Sequence, residues 1–419
     1  MMEELGYRPY GSYKDSHASW LGEVPSDWQV GPGRICIYEN RDKNTGMKES
    51  TVLSLSYGRV IVKDEDKMTG LVPESYETYQ IVQPGDIIIR GTDLQNDVTS
   101  LRTGLAKDHG IITSAYINLR PKPNAYAEFL HYLLHSYDVK KVFYGLGSGL
   151  RQNLSYVDFK YLTIPLPSLP EQRAIVAFLD DKCAKIEGAV KIKEDQIALL
   201  RERRQIIIQD AVTGGLNPAA PMKDSGIDWI GQIPAHWELK SIRYAFRFRN
   251  YQRVPISASD REGKQGEYPY YGASGIIDYV QDYIFDEDLI LIAEDGANLL
   301  SKSTPLAFVA TGKYWVNNHA HILEPLFPGF KYWAELLSAA DYTVYISGSA
   351  QPKLTRDRLG SVRVPVPPAD ERNAIISFIE QESDKFRNAI SIKERQIAAL
   401  KEYKTSLINA AVTGKIKVI

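Results

Sequence analysis

The chain has 419 residues, 44% of them hydrophobic and 24% charged, with a formal net charge of −2. This is an ordinary soluble composition with room for two or three domains, and its global charge points to no particular partner. Two cysteines exclude a disulfide scaffold and a cysteine-based zinc site, no apolar run reaches membrane-spanning length, and the start MMEELGYRPYG lacks the basic-then-apolar pattern of a signal peptide, so the expected compartment is the cytoplasm.

From the N-terminus, YKDSHASWLGEVPSDWQV (13–30) is a Trp-rich opening. Residues 31–160 are rich in β-branched and aromatic residues, with frequent Gly and Pro, and predict a compact mixed α/β domain. Within it GDIIIR (85–90) predicts a buried strand, GIITSAYINLR (110–120) its later partner, and AEFLHYLLHS (127–136) a short helix. Arg90, Thr92 and Asn96 are polar side chains in the loop expected after that first strand. His131 and His135 lie four apart on the predicted helix; without a zincin-type carboxylate they read as a half-buried face rather than a metal site. The loop GSGLRQNL (147–154) follows, where small residues permit close backbone approach and Ser148, Arg151, Gln152 and Asn153 can hydrogen-bond to base edges. A tight turn into a helix explains the same small residues equally well.

Prolines 165, 167 and 170 bar a helix until about residue 169, and Ser168 with Glu171 fits a capping box. From there Leu179, Cys183, Ile186, Val190, Lys193, Ile197, Leu200, Arg204, Ile207 and Ala211 step by four and three, the 3.5-residue period of a coiled-coil seam. Residues 170–212 hold eight acidic and eight basic side chains, a salt-laced neutral outer face, and Gly214 stands where a left-handed C-cap is expected. At about 1.5 Å per residue the helix runs roughly 60 Å and cannot hide its seam alone.

The chain then repeats itself. MKDSGIDWIGQIPAHWEL (222–239) matches the Trp-rich opening at an offset of 209, and Trp20 and Trp28 recur as Trp229 and Trp237. KSIRYAFRFRNYQRVPISASDREGK (240–264) carries seven basic residues against two acidic ones, with Arg243, Arg247, Arg249 and Arg253 interleaved with aromatics. That local basic patch suits phosphate oxygens, or else forms a solvated strand face. YPYYGASGI (268–276), with Tyr271 and Ser274, offers a surface loop or core. DLILIA (288–293), YWVNNHAHILE (314–324) and KYWAELLSA (331–339) predict two strands and a helix in a second mixed α/β domain, with Asn298, Asn317 and Asn318 in its loops. SGSAQPKL (347–354), with Ser349, Gln351 and Lys353, echoes the loop at 147–154. The final helix repeats the seam at an offset of 200, as Ile379, Ser383, Phe386, Ile390, Lys393, Ile397, Leu400, Lys404, Leu407 and Ala411, and ends in AAVTGKI. Matched exceptions at 193/393 and 204/404 point to the two helices pairing with each other rather than standing as two long helices in some bundle. A period this long is a duplicated domain pair rather than a solenoid. No phosphate-binding loop and no Asn/Asp-Pro-Pro-aromatic stretch occurs, which argues against a catalytic chain.

KDSGIDWIGQIPAHWEL (223–239), the GSG…L loop, PLPSLPEQRAIVAFL (165–179) and a helix ending in AVTG together resemble the specificity subunit of type I restriction-modification enzymes, over essentially the whole chain. The resemblance implies an α+β fold in which two mixed α/β target-recognition domains are separated by a long antiparallel two-helix coiled coil, a pseudo-twofold internal repeat. The expected divisions are 1–165 for the first recognition domain, 166–216 for its helix, 217–365 for the second domain and 366–419 for the second helix. It further implies double-stranded DNA as ligand, each domain reading half of a bipartite asymmetric target. Two methyltransferase subunits using S-adenosylmethionine, and restriction subunits using ATP and Mg2+, are the implied partners. The chain itself would bind no cofactor and no metal and be non-catalytic. A coiled-coil adaptor with two protein-binding heads and a single-chain DNA methyltransferase remain the alternatives.

Overall fold

A computed structural model of the chain describes residues 6–63, 75–97, 99–146, 153–295, 298–302, 304–348 and 352–418. It divides into two compact units, residues 1–193 with 395–419 and residues 194–394, so each unit takes part of both long helices.

The first unit opens on an antiparallel hairpin, β1 (Tyr13–Asp15) and β2 (Glu23–Pro25). There follow β3 (Gln29–Pro32), β4 (Ile37–Glu39), β5 (Leu53–Ser56), β6 (Arg59–Val62), β7 (Gln80–Val82), β8 (Ile87–Ile89), β9 (Thr103–Leu105), β10 (Gly110–Ile112) and β11 (Ile117–Pro121). Helices α1 (Ala127–Val139) and α2 (Tyr156–Tyr161), strand β12 (Thr163–Leu166) and the long helix α3 (Leu169–Gly214) come next. The central sheet is antiparallel in the order β4-β11-β8-β9, and β12 returns to pair with β3.

The second unit repeats this plan. Its hairpin is β13 (Met222–Asp224) with β14 (Gln232–Pro234), followed by β15 (Glu238–Ser241), α4 (Ile242–Ala245), β16 (Phe246–Phe248) and α5 (Ala258–Glu262). Then come β17 (Gln265–Gly272), β18 (Gly275–Val280), β19 (Phe285–Asp286), β20 (Leu289–Ala293), α6 (Asn298–Ser301), β21 (Ala307–Ala310), β22 (Lys313–Val316) and β23 (Ala320–Pro325). Helices α7 (Phe330–Ala339) and α8 (Arg356–Ser361), strand β24 (Arg363–Val366) and the long helix α9 (Ala369–Val412) close it. The sheet β16-β23-β20-β21 has the same order as that of the first unit, and β24 returns to β15. The units differ in what is added. The second carries a four-stranded sheet β18-β17-β22-β19, where the first has the two-stranded pairs β10-β7 and β5-β6.

The run GDIIIR is apolar without alternation because β8 is covered on both faces. Ile87 and Ile89 enter the main core and Ile88 a second one, and all three are fully buried. In β20 the same split sends Ile290 and Ile292 one way and Leu289 and Leu291 the other. The expected partner strands are each broken in two. A turn in which Tyr116 N–H donates to Thr113 O separates β10 from β11, and Asn317 Oδ1, accepting from His319 N–H at 2.8 Å, separates β22 from β23.

Each leading hairpin is tied to the helix ends by a tryptophan. Trp28 is 1% exposed, and its Nε1–H donates to Glu171 Oε1 at 3.1 Å, in the first turn of α3. Trp237, also 1% exposed, donates to Glu371 Oε2 at 2.9 Å, in the first turn of α9. Glu171, expected to serve a capping box with Ser168, thus turns to the indole instead. The benzo edge of each indole meets a glycine with positive φ at the end of the opposite helix. Gly414 (φ 70°) faces Trp28 and the ring of Pro25, and Gly215 (φ 75°) faces Trp237. A Cβ on Gly414 would overlap the Pro25 ring, so both the backbone angle and the space require glycine there. In the first copy the C-cap falls at Gly215 rather than Gly214, because a second glycine lets α3 run one residue further.

These ties set the helix polarity within each unit. In the first, Trp28 links the start of α3 to Gly414 while Glu187 accepts from Lys404 Nζ at 2.6 Å further along. In the second, Trp237 links the start of α9 to Gly215 while Arg204 Nη2 donates to Ser383 Oγ at 3.1 Å. Both pairs run antiparallel. Of the seam residues, Leu179, Cys183, Ile186, Ile197, Ile379 and Phe386 are buried, whereas Val190, Leu200, Ile390, Ile397 and Leu400 are partly buried.

His131 and His135 lie on one face of α1 with ring centroids 6.2 Å apart and their planes tilted by 34°. Burial, then the neighbouring His135 and Lys107, push His131 down to about 4. The unfolded chain takes up this proton near pH 6.5 and the fold resists it. Stability from the neutral ring is therefore complete above about pH 6.5 and is lost as pH falls towards 4. Replacing His131 with Leu should flatten the decline of the urea midpoint across that window, measured by circular dichroism against the unsubstituted chain.

Candidate nucleic-acid interface

The loop after the central strand comes against the loop before the short helix in each unit. In the first, Leu154 N–H donates to Gly91 O at 2.7 Å and Asp93 N–H to Asn153 Oδ1 at 2.9 Å. Gly91 has no room for a side chain, since a Cβ would lie 2.9 Å from Leu154 O. Arg90, Thr92, Asn96 and Asn153 are thereby gathered at one edge. Arg90 pairs with Asp97 at 3.4 Å and Asn96 Nδ2 donates to Asp93 Oδ1 at 2.8 Å. Ser148, Arg151 and Gln152 lie outside the described residues.

What holds this loop is Arg102, a fully buried residue that sequence reasoning passed over. Its guanidinium donates to the carbonyls of Thr92 (2.8 Å), Arg90 (3.2 Å), Asp93 (3.3 Å) and Asp97 (2.5 Å), and its Nε–H to Tyr144 Oη (3.2 Å). The planar fork matches several carbonyls that curve around it. Its own N–H donates to Asp138 Oδ2 at 2.5 Å; burial pushes that carboxyl up, against the pull of this bond and of nearby Lys141 and Arg102.

The second unit fixes the corresponding loop with the opposite charge. Leu354 N–H donates to Glu294 O at 2.8 Å, as Leu154 does to Gly91. The Glu294 carboxylate accepts from Arg253 and sits 3.4 Å from Lys353 Nζ and 3.6 Å from His321 Nδ1. Burial opposes its ionisation, but the hydrogen bond from Arg253 and the charges of Arg253 and Lys353 outweigh it and hold the carboxyl below its ordinary value. His321 has its Nε2 2.7 Å from Leu354 O and its Nδ1 2.8 Å from Asn250 Nδ2, which assigns a neutral ring; burial pushes its pKa down. Arg253 also reaches the carbonyl of Asn318 at 3.2 Å, and Asn317 N–H donates to Tyr271 O at 3.0 Å. Arg253, Asn318 and Lys353 are thus brought together around Glu294, while Asn317 is buried with its Oδ1 accepting from His319 N–H. The Asn298 amide closes the loop against Thr304, and Ser274 is exposed in the β17–β18 turn. Ser349 and Gln351 lie outside the described residues.

The other arginines of the basic stretch divide. Arg247 and Arg249 both reach Glu324 at 3.0 Å, and Arg249 also pairs with Glu287 at 3.0 Å, so much of their charge is compensated within the unit. Arg243, whose Nε–H donates to Gly360 O at 3.1 Å, lines a separate concavity of about 550 Å³ with Arg247 and Arg356. Asp357 is the only acid in that lining. Arg356 lies 5.5 Å from the Phe248 ring centre; its position next to the second glycine-serine loop was the available signal for it. Among the described residues no group of three or more His, Cys, Asp or Glu side chains is arranged to hold a metal ion, and no described helix is long and apolar enough to cross a membrane.

The model for the type I restriction modification DNA specificity domain matches this chain twice, over residues 49–194 and 234–402. A putative type I restriction enzyme MjaX specificity subunit from Methanocaldococcus jannaschii is 22% identical over 95% of this chain and 96% of its own length. The putative specificity subunit S.HindORF215P of Haemophilus influenzae is 34% identical over 134 residues, 31% of this chain and 33% of that one. A solved chain from work on the structural basis of complex assembly and conformational transition of the type I R-M system has the same fold, with a TM-score of 0.64 at 16% identity over 93% of this chain and 98% of its own.

The cage around Arg102 carries its own test. Arg102→Met keeps the bulk but leaves several buried carbonyls without a donor, at about 1–3 kcal/mol each. Stability should fall by at least about 3 kcal/mol, and amide exchange should rise across residues 90–97 more than in α1. Uniform exchange in both places would remove the loop-holding role.

Proposed function

This chain belongs to the type I restriction-modification DNA specificity family, and from that premise we propose how its two units divide the reading of DNA. Each unit reads one half of a bipartite target. In the first, Arg90, Thr92, Asn96 and Asn153 meet base edges; in the second, Asn318 and Lys353 do so beside Arg253. Arg243, Arg247 and Arg356 face phosphates from their shared concavity, positioning the second unit without specifying sequence. Because the loops differ in side chains and in charge, the two half-sites differ and the target is asymmetric.

The observation that supports this most is the pairing of one backbone frame with two chemistries. The same sheet order and the same Leu154/Leu354 hydrogen bond recur, yet one loop closes around a buried cation and the other around a buried anion. A protein selected to present different surfaces from one scaffold would look like this. The long helices act as the spacer between half-sites and dock two methyltransferase subunits, which bring S-adenosylmethionine and methylate adenine. Restriction subunits with ATP and Mg2+ complete the assembly. The chain itself is the non-catalytic reader and binds no cofactor.

Exchanging residues 31–160 for the corresponding stretch of another specificity subunit, with co-expressed methyltransferase, should change one half-site in the methylated-motif map and leave the other intact. A simultaneous change in both half-sites would falsify independent reading. Adding one heptad to each helix should lengthen the spacer in the same map and preserve both half-sites. Methylation by the purified chain alone, followed with labelled S-adenosylmethionine, would instead return the single-chain enzyme.

A further inference from the structure

The two tryptophan ties make the same bond with different neighbours. In the first unit Glu171 Oε1 accepts from Trp28 Nε1–H and also from the Tyr10 hydroxyl at 2.7 Å. The Tyr10 ring lies edge-on to Trp28, with centroids 5.8 Å apart. Tyr7, three residues earlier, lies edge-on to Phe178 at 5.8 Å and shares a 3.0 Å hydrogen bond with the Tyr403 hydroxyl. The phenol of Tyr10 is pushed up by burial and then by Glu171, so it remains the protonated donor.

The second unit lacks both phenols. The hairpin register equates Tyr13↔Pro25 with Met222↔Pro234, and Ser26 N–H to Ser12 O with Ala235 N–H to Pro221 O. Carried two residues back, that register puts Ala219 in the place of Tyr10; Leu216 takes the place of Tyr7. At this point the second unit has a cavity of about 320 Å³. Asn217, Pro234, His236, Glu371, Ala374 and Ile375 are among its walls. Glu371 gives one oxygen to Trp237 and has the other 2.5 Å from His236 Nε2, and their side chains are 36% (Glu371) and 47% (His236) exposed. A carboxylate carries about four lone-pair sites, so acceptor capacity remains for a further donor.

We propose that this cavity is a binding site for a tyrosyl side chain presented by a partner protein, docking as Tyr10 docks in the first unit. The walls from Pro234, Ala374 and Ile375 take the ring, and Glu371 accepts the hydroxyl. Among the described residues no tyrosine stands at this place, and Ala219, which occupies it, is held in a turn by its N–H bond to Asn217 Oδ1 at 3.0 Å. The inference stands apart from DNA reading and holds for whichever protein brings the tyrosine.

N-acetyl-tyrosinamide is the probe, titrated calorimetrically into the full chain. One equivalent should bind, at least about tenfold more tightly than N-acetyl-phenylalaninamide, which cannot donate to the carboxylate. Ala219→Tyr, on an exposed turn, should abolish binding and raise Tm. Tyr10→Ala should open the matching site and bring the stoichiometry to two. Equal binding of the two amides, no saturable binding, or unchanged binding in a folded Ala219→Tyr chain would each overturn the assignment.

Discussion

The indole trapped between a helix start and the end of the other helix is the contact on which both units rest. An aromatic of this size removes on the order of 200 Å² from water, an upper estimate near 5 kcal/mol. The Nε1–H bond to glutamate adds only about 1–3 kcal/mol net. Burial therefore supplies most of the stabilisation, and the directional bond decides where the ring sits. Each such contact joins three stretches of chain: a leading hairpin, the helix of its own copy, and the glycine ending the helix of the other copy. Neither copy can complete its unit alone. The first takes in residues 395–419 and the second residues 194–214, so each unit draws residues from both copies of the repeat.

Inside each unit the sheet is held constant while its attachments vary. The strand that feeds the candidate reading loop is buried on both faces in both units, which leaves it little freedom to move or change. Beyond the strand, one loop is organised by a guanidinium that satisfies carbonyls, the other by a carboxylate that collects Arg253, Lys353 and a neutral His321. Both solutions bury a charge with its partners in place, the condition under which a buried charge is tolerated. The residue at the centre of the first loop is a cation and that of the second an anion, behind the same backbone edge. A net charge of −2 over the chain is thus the sum of unlike local fields, and carries no information about either loop.

Much of this was legible in the sequence, and what was hidden has a common cause. The 3.5-residue period, the capping prolines and the repeat exposed both long helices; the short apolar runs exposed β8 and β20; and the α1 and α7 helices lie where expected. These signals are local. Arg247, Arg249 and Arg253 looked like a free basic patch because their acids, Glu324, Glu287 and Glu294, lie 38 to 77 residues away for the contacts they make. Arg102 was passed over because most of its acceptors are backbone carbonyls, which no side-chain pattern records. The recurring Trp and Pro positions were visible as echoes, but their bond to Glu171 and Glu371 was not. A repeat reveals that two places are alike without saying what they touch.

The burial along the helices shows where their register is decided. Seam residues near the heads, such as Leu179, Cys183, Ile186, Ile379 and Phe386, are buried, while Val190, Leu200, Ile390, Ile397 and Leu400 are only partly so. A uniform hydrophobic seam tolerates sliding by a heptad, since every rung resembles the next. Here the ends carry contacts that do not repeat: an indole against a left-handed glycine, Glu187 with Lys404 in one unit, and Arg204 with Ser383 and Glu335 in the other. Sliding by one heptad would break all of these while leaving apolar rungs apposed. Register is therefore fixed by these specific contacts rather than by the apolar rungs, among which Ile197 is buried and its neighbours Val190 and Leu200 only partly so. From Glu171 to Gly215 is 44 residues and from Glu371 to Gly414 is 43, an agreement to within one residue. That agreement is the arithmetic expected when two helices must each satisfy a tie at the start and at the end, and the odd residue is the extra glycine that ends α3.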